Sequence, residues 1–221
     1  MGPPPHDNRS DGVVSRTDAT RRGTGREADR SSGRTPERPR RHDAAAATIS
    51  LMSQVEHKAG APHSVRCFVV TVSDTRTDAT DSSGRAIVDL LTSTGHQISG
   101  RTIVKDDPAL VRGTIERQLA TAVETGPQVI IITGGTGITS RDSTFEAVST
   151  LLHKRLEGFG ELFRMLSYEQ IGPAAMMSRA TAGLAAGRVV VSLPGSEAAV
   201  RLAMEKLLLP ELGHLVQQAM K

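Results

Sequence analysis

The residue types best suited to chemistry lie in one stretch, Thr133-Gly134-Gly135-Thr136-Gly137, followed by Arg141, Asp142, Ser143 and Thr144. Glycines at 134, 135 and 137 let the backbone turn sharply and come close to a ligand. Successive N–H groups in such a turn can surround an anion. A helix starting near Ser143 would point its positive end at the same spot. The stretch therefore predicts a receptor for a phosphorylated ligand. It is not a Walker A loop, because no lysine stands in the Gly-Lys-Ser/Thr position. Nor is it the dinucleotide fingerprint, because Ser140 occupies the third glycine position. Taken alone, the turn is equally compatible with a plain strand-to-helix connection.

Asp142 shifts that balance. An acid beside an anion cradle repels the ligand unless a hard cation lies between them. Mg²⁺, held by one or two carboxylates plus phosphate oxygens, resolves the conflict. Asp106 or Asp74 could supply a second carboxylate or contact the substrate. Simpler roles compete. Asp142, Ser143 or Thr144 could cap the helix, and Asp106-Asp107 could form a turn before Pro108. Arg141 is either a phosphate contact or a solvated loop charge. A second turn, Leu193-Pro194-Gly195-Ser196, either ends in an N-cap at Ser196 or adds another backbone cradle. His96 and His153 have no metal-ligand spacing, and no Gly-x-Ser-x-Gly elbow is present, which disfavours a protein nucleophile. Nucleotidyl transfer by positioning and charge neutralisation needs none.

These residues need a scaffold. The run 65–72 is apolar and of strand length, and Cys67 lies within it at a buried position. Asp81 or Ser82 can cap a helix that stops at Gly95. Residues 97–104 read as a second strand. Pro108 opens a helix whose apolar residues recur through Val123, and Val129-Ile130-Ile131-Ile132 is the strongest strand in the chain. A helix over 143–154, an undecided helix or loop over 158–167, a hairpin of 180–184 with 188–193, a helix over 197–209 and a last helix from Pro210 complete the order. Strand–helix alternation predicts an α/β fold, a three-layer α/β/α sandwich with a mostly parallel sheet. Ligands in such sheets bind beyond the carboxyl ends of the strands. Ser73-Asp74, Lys105-Asp106-Asp107 and 133–142 all fall there.

Residues 1–63 carry 11 Lys/Arg against 8 Asp/Glu, whereas residues 64–221 hold 16 of each. The first segment, rich in Arg, Pro and Gly, reads as a disordered tail, and 44–58 as a short helix at most. Arg21-Arg22 lacks the apolar stretch an export signal needs, and interspersed acids argue against a transit peptide. The domain of 64–221 is formally neutral and the chain is 2% aromatic, which argues against nucleic acid as a partner. No stretch approaches the ~20 apolar residues of a membrane span. A single cysteine forms no internal disulfide, and a reducing, cytoplasmic location fits.

Together these segments resemble the MoaB/Mog family of molybdenum cofactor biosynthesis proteins. The resemblance rests on Thr71-Val72-Ser73-Asp74-Thr75-Arg76, Asp81-Ser82-Ser83-Gly84, Ile103-Val104-Lys105-Asp106-Asp107, Ile132 to Gly137 with Arg141 to Thr144, Gly158-Phe159-Gly160-Glu161 and Pro194-Gly195-Ser196. It covers nearly all of 64–214. Phe163 to Ser167 with Ser178 to Gly183 looks like the MoaB branch. The resemblance implies a molybdopterin-binding fold that assembles into homotrimers or homohexamers. In active members it implies Mg²⁺ and ATP as well. The terminal phosphate of molybdopterin attacks the α-phosphate of ATP, pyrophosphate leaves, and adenylyl-molybdopterin results. Asp142 and Asp106 match the family's functionally important aspartates, Asp142 for holding Mg²⁺ and Asp106 for substrate placement or turnover. Ser73, Gly134, Gly135, Thr136, Gly137, Pro194, Gly195 and Ser196 match ligand-cradling positions. Asp74, Thr133, Arg141 and Thr144 complete the candidate binding set. The rival expectations are a non-catalytic molybdopterin carrier, a paralogue beside a separate adenylyltransferase, or an assembly scaffold. A downstream molybdenum-insertion protein would be the partner.

Overall fold

Alternation along three buried strands decides the architecture. The structure, a computed structural model, describes Gly2, residues 60–140 and residues 142–221. The expected tail (apart from its last few residues), the 44–58 helix and Arg141 lie outside the described residues. Strands β1 (Arg66–Val72), β3 (Val129–Thr133) and β6 (Arg188–Leu193) form the centre. Successive strand side chains point to opposite faces, so each strand feeds two cores. Cys67, Val69, Val129, Ile131, Val189 and Val191 belong to one. Val70, Val72, Ile130, Ile132 and Val190 belong to the other. Burial pushes the Cys67 thiol up to about 12.

The sheet has six strands in the order β2-β1-β3-β6-β5-β4, with β2 spanning Gln97–Val104, β4 Lys154–Arg155 and β5 Thr181–Ala185. β1 pairs in parallel with β2 and β3, and β3 with β6. β5 turns back antiparallel on β6 and pairs antiparallel with β4. The expected three-layer, mostly parallel sheet is thus present, with the expected hairpin as its antiparallel flank.

Helices α1 (Ser82–Ser93), α2 (Pro108–Leu119), α3 (Thr144–Leu151), α4 (Glu157–Ile171), α5 (Glu197–Ala203) and α6 (Leu212–Ala219) cover the sheet. Ile87, Leu91, Phe163, Val200 and Leu212 fill the first core, while Val111, Ile115 and Val148 fill the second. Asp81 and Asp107 are the N-caps of α1 and α2. Residues 172–177 form a 3₁₀ helix and 204–208 a π turn. Among the described residues, no helix is long and apolar enough to cross a membrane.

Three boundaries differ from expectation, two of them because other bonds take over. α2 stops at Leu119 rather than reaching Val123. Buried Arg188 donates to the carbonyls of Gln118, Leu119 and Thr121. Arg66 donates to those of Gly126 and Val123, at 2.8 and 3.1 Å. The guanidinium groups satisfy carbonyls that another helical turn would have used. α3 ends at Leu151 because Lys154 and Arg155 leave it to pair with Leu184 and Gly183. The last helix begins at Leu212, not at Pro210. The undecided segment 158–167 is helical, within α4, and buries Gly160, Phe163 and Ser167.

Candidate functional site

Two turns beyond the carboxyl ends of β3 and β6 pack directly on each other. Gly134 donates its N–H to the Leu193 carbonyl at 3.1 Å, and the Thr133 hydroxyl donates to the Pro194 carbonyl at 3.0 Å. Gly134 has φ 102° and Gly135 φ 61°, both left-handed. A Cβ at Gly134 would lie 2.2 Å from the Val72 carbonyl oxygen, so this position excludes any side chain. A Cβ at Gly135 would lie 2.3 Å from Thr144 Oγ1 and 2.6 Å from Asp106 Oδ2, and one at Gly137 2.6 Å from Asp142 Oδ2. A Cβ at Gly195 would lie 3.2 Å from Gly134 Cα. The glycine turn is thus flanked by two carboxylates and a buried hydroxyl, with Pro194-Gly195-Ser196 behind it. Thr136 is buried in the same turn.

The start of α3 departs from the expected capping. Asp142 caps no helix. Its carboxylate accepts the Thr139 hydroxyl at 2.6 Å and the Thr139 N–H at 2.9 Å. The Thr139 hydroxyl, the N–H groups of Thr139 and Gly137, and the charge of Arg179 hold Asp142 below the usual carboxylate range, against a smaller opposing effect of burial. The anion that this loop surrounds here is its own aspartate. Ser143 stands at the N-cap position without capping, because its hydroxyl donates to Asp106 Oδ1 at 3.0 Å. Thr144 donates its N–H to the Gly135 carbonyl at 2.9 Å, while its Oγ1 is buried with no hydrogen-bond partner among the described residues. An uncapped helix end and an unsatisfied buried hydroxyl are what an anion site leaves for its ligand.

The other two loops join at the same end. Asp106 donates its N–H to Asp74 Oδ1 at 3.2 Å. Ser73 Oγ accepts from the N–H groups of Thr75 and Arg76, at 3.3 and 3.1 Å, and so shapes the loop after β1. Ser196 caps α5 by accepting from Ala199 N–H at 3.3 Å. Beside these loops opens a cavity of about 530 Å³ lined by Ser73, Asp74, Arg76, Arg101 and Lys105, among others. Every candidate residue except the undescribed Arg141 therefore lies at this end of the sheet. Among the described residues no three His, Cys, Asp or Glu side chains gather into a metal cage. The donor set instead suits a hard cation that takes one or two carboxylates and completes its shell from a ligand.

Sequence reasoning assigned no role to two arginines that build this site. Arg76 reaches 2.8 Å to the Gly195 carbonyl, and also contacts Asp81 and Ser83. Arg179 donates to the carbonyls of Thr136, Gly137 and Asp142. Both contacts join residues far apart in the chain, so no local spacing marks them. Only Thr75-Arg76 and Ser178-Arg179, as parts of the family resemblance, carried any signal.

Comparison with known proteins agrees with this geometry. Residues 68–214 match the family model described as a probable molybdopterin binding domain. A molybdenum cofactor biosynthesis protein B from Bacillus anthracis is 54% identical over 165 residues, covering 74% of this chain and 96% of that protein. The protein of the same name from Bacillus subtilis is 50% identical over 171 residues, covering 77% and 99%. Among solved structures, a molybdenum cofactor biosynthesis protein B superposes with a TM-score of 0.68 at 50% identity, covering 72% of this chain and 98% of that one. The tungsten cofactor synthesizing protein MoaB from Pyrococcus furiosus superposes with a TM-score of 0.63 at 38% identity, covering 73% and 100%.

Proposed function

The chain belongs to the molybdopterin-binding family, in its MoaB branch, and works in molybdenum cofactor biosynthesis; from that premise we propose that it adenylylates molybdopterin with ATP. The observation that carries this reading is the flanked glycine turn. Asp106 and the buried Thr144 hydroxyl, which has no partner among the described residues, lie against Gly135, and Asp142 lies against Gly137. A simple carrier needs the cradle but not two carboxylates beside it.

In this reading a terminal phosphate oxygen of molybdopterin attacks the α-phosphorus of ATP. The bond from that phosphorus to the bridging oxygen of the β-phosphate breaks, and pyrophosphate leaves. The turn 133–137 and the uncapped start of α3 receive phosphate oxygens, with Thr144 Oγ1 as a further donor. Ser73, Asp74, Arg141 and the turn Pro194-Gly195-Ser196 border the bound substrates. Asp106 fixes the start of α3 through Ser143 and places the substrate. Asp142, with Asp106 as the second candidate, would hold Mg²⁺, which supplies neutralisation of the charge that develops on the departing phosphates. No side chain acts as a nucleophile.

Leu162, Met165, Tyr168, Ile171, Met176 and Met177 form an exposed apolar run on α4 and the 3₁₀ helix. Such a surface supports the reading of a homotrimer or homohexamer. A cytoplasmic location and a downstream molybdenum-insertion partner belong to the same proposal.

Incubating the purified protein with molybdopterin, ATP and Mg²⁺ tests the activity. Adenylylated product is expected, and Asp142→Asn should reduce turnover by at least ~10²-fold while leaving pterin binding largely intact. Tight pterin binding with no product from the unaltered chain would overturn the enzyme reading in favour of a carrier. One observation speaks for that rival: Asp142 is already satisfied by Thr139.

A further inference from the structure

We infer that Arg179 is the positioning residue of the site, a strut that holds Thr136, Gly137 and Asp142 in place from behind. This role deepens the reading of the segment 136–142 as the ligand-binding loop and rests on it. Arg179 lies between the 3₁₀ helix and β5. Its Nε donates to the Thr136 carbonyl at 3.0 Å. One terminal nitrogen donates to the carbonyls of Gly137 and, at 3.2 Å, Asp142. The other pairs with Glu146 in the first turn of α3. The guanidinium carbon stands 5.0 Å from the centroid of the Phe145 ring. One planar group therefore ties the beginning of the loop, its end and the helix that follows.

Among the described residues, no other side chain from outside the loop is bonded to its carbonyls at both ends. Ile138, at the tip, is 68% exposed, so no apolar packing anchors the loop there. Inside the loop, Asp142 is bonded to Thr139 and to the Gly137 N–H. A guanidinium presents its donors in a rigid fork, which suits three carbonyls and a carboxylate at once. An ammonium is a point charge with no fork. Four of the five N–H donors of Arg179 are bonded to the protein, so its part is to hold the loop rather than to grip phosphate. By turning the carbonyls of Thr136 and Gly137 toward itself, it directs the N–H groups that follow them away from itself, since C=O and the next N–H of a trans peptide point in opposite directions. A loop held this way before the ligand arrives loses less conformational freedom on binding.

The test compares Arg179→Lys, Arg179→Gln and Glu146→Gln in the full chain, without ligand. Amide hydrogen exchange is read at Gly137 and Thr139 and in β3, alongside thermal melting. In both Arg179 variants the loop amides should exchange about tenfold faster while β3 is unchanged, and Glu146→Gln should stay close to the original. ATP affinity, measured by calorimetry, should fall by about tenfold in Arg179→Lys with melting little altered. Loop exchange unaltered in Arg179→Lys would overturn the proposal. So would exchange that rises equally in β3, which marks general destabilisation. The exchange readout uses no substrate, so failure of the unaltered chain to form product would count against the proposed activity alone.

Discussion

Asp81 and Asp142 occupy similar places: each stands between the carboxyl end of a parallel strand and the start of a helix. Their surroundings are opposite. Asp81 is fully buried and caps α1 through Gly84 N–H at 2.9 Å. It also accepts the Thr71 hydroxyl at 2.7 Å and Arg101 at 2.8 Å, with Arg76 at 3.4 Å. Burial works to raise its pKa, but the hydrogen bonds from Thr71, Gly84 and Arg101, with the charge of Arg101, leave it below the usual range. Asp142 caps nothing and takes its donors from a loop whose tip is solvated. The fold itself saturates the first carboxylate. The second is held by the loop it belongs to. The same residue type at the same kind of junction thus builds the scaffold in one case and shapes a surface loop in the other.

The sharpest way to break this comparison is to remove both acids in turn. Asp81→Ala leaves two arginines without their shared partner, so urea denaturation should show a loss of about 3 kcal/mol or more. Asp142→Ala should cost less than about 1 kcal/mol, as loop substitutions commonly do. Equal losses would erase the distinction. Acid titration of stability comes next in size. A carboxyl whose folded pKa lies below its unfolded value of about 3.9 contributes stability that is fully present above that value and lost as pH falls through the folded one. Both acids have this sign, yet only Asp81 is buried among arginines. The decline of the urea midpoint below about pH 4 should therefore be visibly shallower in Asp81→Asn, and nearly unchanged in Asp142→Asn. The smallest effect concerns Thr144. Its buried hydroxyl has no partner among the described residues and so adds little to folding; Thr144→Val should leave stability within about 1 kcal/mol of the original, or raise it. ATP affinity should nonetheless fall, measured by calorimetry on the same samples.

How far the sequence revealed this molecule depended on the range of the forces involved. β1 and β3 were legible because a strand buried on both faces needs an unbroken apolar run, and Val129 to Ile132 is one. The site loops were legible because parallel topology sends every strand's carboxyl end to one side. α4 stayed undecided because its outward face is also apolar. Leu162 and Met165 are exposed while Phe163 is buried, which blurs the helical period. β4 was missed because two exposed residues, Lys154 and Arg155, carry no alternation at all. The arginines were the hardest. Arg76, Arg179 and Arg188 act on carbonyls of distant segments, and a backbone carbonyl has no residue type to recognise. The capping open to Asp142 or Ser143 is absent because Asp142 accepts from Thr139 instead, while the Ser143 hydroxyl donates to Asp106, which only the fold brings near.

The closeness of Gly134 to the Val72 carbonyl has a consequence for how this site can change over generations. Because a Cβ there would lie 2.2 Å from the Val72 carbonyl oxygen, the position admits no alternative residue without separating β1 from β3. Drift toward another ligand must therefore leave this position fixed. It can proceed through neighbouring positions that carry a side chain, such as Thr136, Asp106 and Thr144, one contact at a time.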